Sequence, residues 1–176
     1  MKEILAAGGY TDVITLTDGP NGPNGLAVDA GGDVFVAFGA NNFFPGGPAL
    51  NAVQEILAVD GSIPASPTIV TLGGSFGHPS GVALDAGGNV YVSDSQTGIV
   101  SEIPAAGGYA TASPLAGGFT NPQGVAVAGN GAVLVSDTGN NAVKESSWCR
   151  RRHSSPQPCR IRAPFSSAPR PPSSPA

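Results

Sequence analysis

Residues 79–94 read PSGVALDAGGNVYVSD, and this stretch decides the fold because the chain repeats it on both sides. Upstream, residues 23–36 read PNGLAVDAGGDVFV, and downstream, residues 122–137 read PQGVAVAGNGAVLVSD. Gly81 and Gly124 hold the same place in the repeat and are 43 residues apart, a period typical of repeat architectures. The gap from the first copy to the second is longer, and Gly-, Pro- and Asn-rich insertions account for the difference.

Each copy of the repeat predicts a short antiparallel sheet. Residues 81–85 alternate in polarity, and residues 86–89 (AGGN) tolerate the positive φ that a tight hairpin requires. Residues 90–92, 99–103 and 109–115 are predicted to form the second, third and outer strands. No segment has a sustained helical period, so we expect an all-β fold of repeated four-stranded units.

The repeat resembles a known family, the bacterial NHL repeat. The resemblance rests on PSGVALD at 79–85, GNVYVSD at 88–94 and TGNNAVKE at 138–145, and it extends over residues 1–145. It implies blades of a β-propeller, which are four-stranded sheets arranged radially. The chain has strands for about three blades, so we expect a partial propeller in an open arc. Such a chain is either a piece of a longer protein or self-associates through its open blade faces.

The composition changes abruptly after Glu145. Residues 146–176 are rich in Ser, Pro and Arg and contain both Cys, the one Trp and six of the eight basic side chains. We expect this C-terminal tail to be disordered, because it has too few apolar residues to form a core. A shift of one nucleotide after the Glu145 codon permits a blade-like continuation, and we hypothesise that the tail is frameshift-derived. A DNA sequence without such a reading would refute this hypothesis.

Charge and hydropathy exclude several classes of partner. The net charge is −4 and 11% of the residues are charged, which is not the signature of a nucleic-acid-binding protein. Arg150–Arg152 lack interleaved aromatic residues, so they do not change this expectation. No apolar run is long enough for a membrane-spanning helix, and residues 1–9 are too short for a signal peptide. The compartment stays open, although the resemblance implies a parent family that is extracellular or on the cell surface.

Three residues at the ends of strands are candidate binding residues. Asp94 and Asp137 follow the second strand of their copies, where carboxylates gathered around a central channel would bind a cation. The alternative is that each aspartate accepts hydrogen bonds from the backbone amides of the turn that follows it. Asn141 suits a turn position with positive φ.

A long loop between residues 38 and 50 provides two further candidates. Phe43 and Phe44 stand between two asparagines and a Pro-Gly-Gly-Pro stretch. Aromatic residues on long loops often anchor a partner. The alternative is that both rings pack over the edge of their own blade.

The sequence predicts no catalytic residue, metal site or cofactor. His78 is the one histidine within the repeats, and the equivalent positions are Gly22 and Asn121. The several histidines that hold a metal in propeller lyases of this broad family are therefore absent. We expect a non-enzymatic scaffold that binds a protein or a small-molecule ligand. Two alternatives stay open, a fragment of a metal-dependent propeller lactonase or lyase completed by further blades, and a gene remnant without function.

Overall fold

The computed structural model describes residues 2–5, 12–16, 22–39 and 51–146. These residues form thirteen strands and two short 3₁₀ segments, Ala105–Gly107 and Thr138–Asn140. In chain order the strands are β1 (Lys2–Leu5), β2 (Asp12–Thr15), β3 (Pro23–Val28), β4 (Val34–Phe38), β5 (Ala52–Ile56), β6 (Ile69–Leu72), β7 (Pro79–Leu84), β8 (Val90–Asp94), β9 (Ile99–Ile103), β10 (Ser113–Gly117), β11 (Pro122–Val127), β12 (Val133–Asp137) and β13 (Ala142–Ser146).

The strands pair with their neighbours in sequence to give antiparallel sheets. Strands β3 to β6 form blade 1, β7 to β10 form blade 2, and β11 to β13 form blade 3. A hairpin of β1 and β2 precedes them. The inner strands β3, β7 and β11 lie side by side, so each blade packs against the next. The predicted all-β arc of antiparallel blades is confirmed, and blade 3 has three strands among the described residues.

The hairpin between the first two strands of a blade forms as its residue types predict. In blade 2 the side chain of Asp85 accepts hydrogen bonds from the backbone amides of Gly87 and Asn89. Gly88 adopts a φ of 78°, which a residue without Cβ reaches at no steric cost. In blade 1, Asp29 binds the amides of its own turn in the same way.

The predicted outer strand at residues 109–115 is wrong in its position, because the observed strand is Ser113–Gly117. Tyr109 has a φ of 58°, which ends any extended segment there. Its carbonyl accepts from the amide of Gly73, and its hydroxyl donates to the carbonyl of Gly88. Residues 109–112 therefore connect blades 1 and 2 instead of extending the sheet.

The hydrophobic core lies between the blades. Phe35 on β4 packs with Val92 on β8 in a cluster that joins blade 1 to blade 2. Tyr91, on the opposite face of β8, packs with Val135 on β12 in a second cluster that joins blade 2 to blade 3. Neighbouring residues of one strand thus serve two interfaces, because side chains alternate across a sheet.

Two predictions lie outside the described residues. The loop with Phe43 and Phe44 falls within residues 40–50, and nearly all of the predicted tail falls within residues 147–176. Ser146, the first residue of that tail, is the last residue of β13. No helix of the described part is long and apolar enough to cross a membrane.

Candidate functional site

A concave groove of about 1010 Å³ crosses the first halves of the three inner strands. No Lys, Arg, Asp or Glu is among the described residues that line it. Its polar lining consists of Asn24, Asn51, His78, Ser80, Ser95, Gln96, Asn121 and Gln123. The polar groups of the groove are therefore amides, hydroxyls and one imidazole.

Glycines bring the inner strands together beneath the groove. A Cβ on Gly25 would lie 2.8 Å from the Cα of Gly81. A Cβ on Gly81 would in turn lie 3.1 Å from the Cα of Gly124 and 2.6 Å from the carbonyl oxygen of Gln123. The glycines of the first two Pro-x-Gly motifs thus lie where adjacent blades come too close for a side chain to fit.

Hydrogen bonds across the same contacts fix the inner strands relative to one another. In the first two motifs, the residue before the glycine donates a hydrogen bond to the next blade. Asn24 Nδ2 donates to the carbonyl of Pro79 at 3.1 Å, and Ser80 Oγ donates to the carbonyl of Pro122 at 2.7 Å. Ser93 Oγ adds a bond of 3.0 Å to another β11 carbonyl. Since Ser80 and Ser93 are buried, these bonds form away from competing water.

Asp94 ties the turn after β8 to the loop before β7. Its Oδ1 accepts from the amides of Gln96 and Thr97 at 3.1 and 3.0 Å. The same carboxylate accepts from the amides of His78 and Gly77 at 3.0 and 2.6 Å. Asp94 thus accepts hydrogen bonds from the backbone amides of the turn that follows it, which is the alternative role that the sequence left open. These contacts also hold His78 and Gln96 at the groove.

Asp137 makes the corresponding contacts in blade 3. The buried carboxylate accepts from the amide of Thr120 at 2.6 Å and from Asn140 Nδ2 at 2.7 Å, and it forms an ion pair with Lys144. Burial alone would raise the pKa of Asp137, but the hydrogen bonds from Asn140, Lys144 and Thr120 hold it below the ordinary value. Asn141 ends the turn at a φ of 48°, as its residue type predicts.

None of the predicted binding residues in the described part lines the groove. Asp94 is the last residue of β8, and Asp137 and Asn141 lie at the end of β12. No group of three or more His, Cys, Asp and Glu among the described residues could hold a metal ion. The binding role of Asp94, Asp137 and Asn141 therefore stays a prediction.

The groove residues were not predicted from the sequence, and His78 lies in the loop directly before β7. The imidazole Nδ1 lies 2.8 Å from Ser95 Oγ, and the Ser95 amide donates to the His78 carbonyl at 3.0 Å. A usable signal does exist, because His78 and Asn121 both stand directly before the proline of a Pro-x-Gly motif. The two described residues that flank the predicted Phe43–Phe44 loop are also near, since Asn51 lines the groove and a Cβ on Gly39 would meet His78.

A second cavity, of about 780 Å³, lies at the opposite ends of β7 and β11. It contains Asp85, Tyr91 and Glu102. The Tyr91 hydroxyl donates to Asp85 at 3.1 Å, and burial followed by the charges of Glu102 and Asp85 raises its pKa. The carboxylate of Asp85 also binds its own hairpin, so the acidic groups here have structural partners.

The radial packing of these sheets defines the chain as an arc of a β-propeller. The NHL repeat family matches residues 76–98 and 119–145. These residues contain NHL repeats, and the predicted resemblance is confirmed there. No curated protein matches it.

Solved structures with a similar fold include proteins of quite different descriptions. A catalytically inactive virginiamycin B lyase from Staphylococcus aureus, solved with quinupristin, has a TM-score of 0.57 at 15% identity over 85% of this chain. A nidogen/laminin complex has a TM-score of 0.61 at 19% identity over 77% of this chain. A gluconolactonase-like protein has a TM-score of 0.54 at 19% identity over 76% of this chain. The chain spans 43%, 48% and 49% of these chains, respectively. At such identities the likeness extends to the fold alone.

Proposed function

We propose that the arc is a non-enzymatic binding scaffold, and that its groove holds an uncharged polar segment of a protein partner. The observation that carries this proposal is the lining of the groove, which is rich in side-chain amides and contains no Lys, Arg, Asp or Glu among the described residues. A charged ligand would find no counter-charge there, and burying it would be costly.

Side-chain amides match the chemistry of a peptide backbone. Each Asn or Gln offers both donors and an acceptor, as does each peptide unit of an extended segment. Gln96 and Asn121 are exposed at the groove, while the turns that carry them are fixed by Asp94 and Asp137. A preorganised surface of this kind loses little conformational entropy on binding.

The test is a titration of the full chain with capped tripeptides, which have acetylated and amidated ends, in neutral, acidic and basic sets. We expect the neutral set to bind, and we expect Gln96→Ala and Asn121→Gly to weaken that binding about three- to tenfold, the effect of one hydrogen bond. Glycine is chosen at position 121 because Asn121 has a φ of 50°. Gln54→Ala is the matched control, since Gln54 is an amide on β5 outside the groove.

Two outcomes would contradict the proposal. One is equal binding of neutral and charged peptides, and the other is an equal loss of binding in the Gln54 control. The lactonase or lyase alternative stays open as a property of a larger propeller. Hydrolysis of a model lactone that requires a divalent cation and stops with a chelator would favour it.

A further inference from the structure

We infer that the cavity of about 780 Å³ between blades 2 and 3 binds an uncharged phenol. The inference starts from the equivalent place between blades 1 and 2, where the chain holds a phenol of its own. There the ring of Tyr109 packs edge-to-face with Phe35, with 5.8 Å between the ring centroids. The Tyr109 hydroxyl donates to the carbonyl of Gly88 at 3.1 Å. Tyr109 therefore shows which chemical group this place between two blades accepts.

The walls that the first blade of each pair provides have the same register. Phe35 pairs with Glu55 across β4 and β5 in blade 1. Tyr91 pairs with Glu102 across β8 and β9 in blade 2, and both residues line the cavity. An aromatic ring and a carboxylate thus stand at the same two positions of each wall.

The walls that the second blade provides also match. Gly88 and Gly131 hold the same place in their hairpins, with φ values of 78° and 83°. Their amides donate to the carbonyls of Asp85 and Ala128, respectively. The Gly88 carbonyl accepts from Tyr109, whereas no described residue donates to the Gly131 carbonyl. A phenol between blades 2 and 3 would therefore find the same acceptor that Tyr109 uses.

The two places differ in how far they are covered. Glu55 is 8% exposed beside Tyr109, whereas its counterpart Glu102 is only half-buried. Gly88 is likewise half-buried under the Tyr109 hydroxyl, and its counterpart Gly131 is exposed. Between blades 2 and 3 the described residues thus build the walls of the place and leave its centre open.

The sequence shows why a ligand is needed to supply the ring. The octapeptides EIPAAGGY at residues 102–109 and EILAAGGY at residues 3–10 both end in tyrosine. The corresponding octapeptide of blade 3, ESSWCRRR at residues 145–152, ends in Arg152. Blade 3 therefore has no tyrosine at the position from which Tyr109 reaches back to the preceding blade.

The acidic groups at both places select a neutral phenol. Burial, followed by the charge of Glu55, raises the pKa of Tyr109 and keeps its hydroxyl protonated as a donor. Asp85 and Glu102 bring negative charge to the cavity between blades 2 and 3. A phenol that carries a carboxylate would be repelled there.

The experiment measures the binding of p-cresol, the side-chain analogue of tyrosine, to the full chain by equilibrium dialysis. We expect p-cresol to bind about three- to tenfold more tightly than 4-fluorotoluene, which lacks the donor, because one hydrogen bond has that effect. 4-Hydroxybenzoate should bind more weakly than p-cresol. Ala128→Leu narrows the cavity and should remove the binding of p-cresol. Ala126→Leu is the matched control, since Ala126 is exposed on β11 and does not line the cavity.

A second variant tests the equivalence of the two places. Tyr109→Gly empties the place between blades 1 and 2, and glycine suits the φ of 58° at this position. We expect this variant to bind two molecules of p-cresol where the native chain binds one, with circular dichroism as the check on folding. N-acetyltyrosinamide distinguishes the source of the phenol. Tighter binding than p-cresol indicates a tyrosine of a peptide, and weaker binding indicates a small phenol.

Three results would overturn the inference. They are a native chain that does not bind p-cresol, equal binding of p-cresol and 4-fluorotoluene, and a folded Tyr109→Gly chain that binds no second molecule. The result for Ala128→Leu does not depend on the stability of Tyr109→Gly, and undiminished binding there would also contradict the site. Gln96→Ala alters the groove and should leave the binding of p-cresol unchanged, so the two proposals fail separately.

Discussion

Replacing Asp137 by alanine tests whether a buried carboxylate holds blade 3 together. Asp137 is fully buried and links three elements, because it binds the Thr120 amide, the Asn140 side chain and the Lys144 ammonium group. Alanine removes the counter-charge of Lys144, whose side chain is only 21% exposed. The ammonium group would then be held in a partly dry site without its carboxylate.

The expected loss is about 3 kcal/mol in the free energy of unfolding. Removing one partner of a buried ion pair costs about 3–5 kcal/mol. The low end applies because Lys144 is partly solvated and its Nζ also lies 5.6 Å from the centroid of the Phe119 ring. That contact retains about 0.5–1 kcal/mol. Domains of this size are stable by only about 5–15 kcal/mol, so the variant should lose a large part of its stability.

The assay is urea unfolding of the full chain as Asp137→Ala, Lys144→Met and the double variant. We expect a coupling energy of about 1–3 kcal/mol between the two positions. Asp94→Ala is the comparison, since Asp94 accepts four backbone amides and should not couple to Lys144. A loss below about 1 kcal/mol for Asp137→Ala, or a coupling energy near zero, would refute the reasoning.

The same carboxylate predicts a dependence on pH. The pKa of Asp137 is held below its ordinary value, so the unfolded chain binds the proton first as the pH falls. The stabilisation is complete above the ordinary aspartate pKa of about 3.9 and disappears as the pH falls through the lower folded value. The difference between the native chain and Asp137→Ala should therefore shrink in acid.

Three further predictions concern packing, charge and the long loop. Gly81→Ala should cost about 1–3 kcal/mol because its Cβ would meet a carbonyl at 2.6 Å, whereas Gly129→Ala, with nothing within 4 Å, should cost less by urea unfolding. Burial and two nearby aspartates raise the pKa of Glu55, so its ionised form destabilises the fold as the pH rises. Glu55→Gln should therefore raise the melting temperature at neutral pH, with no gain in acid. Replacing Phe43 and Phe44 together by alanine should change stability by about 0.5 kcal/mol or less if they bind a partner, and by about 3 kcal/mol or more if they cover the blade.

The repeat and the hairpins could be predicted because their signals are local. Gly88 follows another glycine and precedes an asparagine, and that sequence alone predicts the tight turn between β7 and β8. The position of β10 could not be predicted in this way. Tyr109 leaves the sheet because its backbone and hydroxyl bind Gly73 and Gly88, which are distant in sequence. A local sequence pattern does not predict contacts between residues that are distant in the chain.

The groove could not be predicted for a related reason. Its lining comes from three inner strands that are distant in sequence and from the turns and loops beside them, and those strands meet because Gly25, Gly81 and Gly124 have no side chain. The sequence does show the glycines, but it does not show which faces they bring together. Residues such as Gln96 and Asn121 consequently look like ordinary turn residues until the blades are packed.

The last position of the second strand shows where function should be sought. Phe38, Asp94 and Asp137 hold that position in blades 1, 2 and 3, and all three side chains are buried. Phe38 packs with an apolar cluster, Asp94 binds four amides, and Asp137 pairs with Lys144. Three chemically different residues thus solve one structural problem, the anchoring of the strand end. A ligand requires a particular chemistry, so a position that tolerates such differences favours a role in the scaffold and directs the search for binding to the groove.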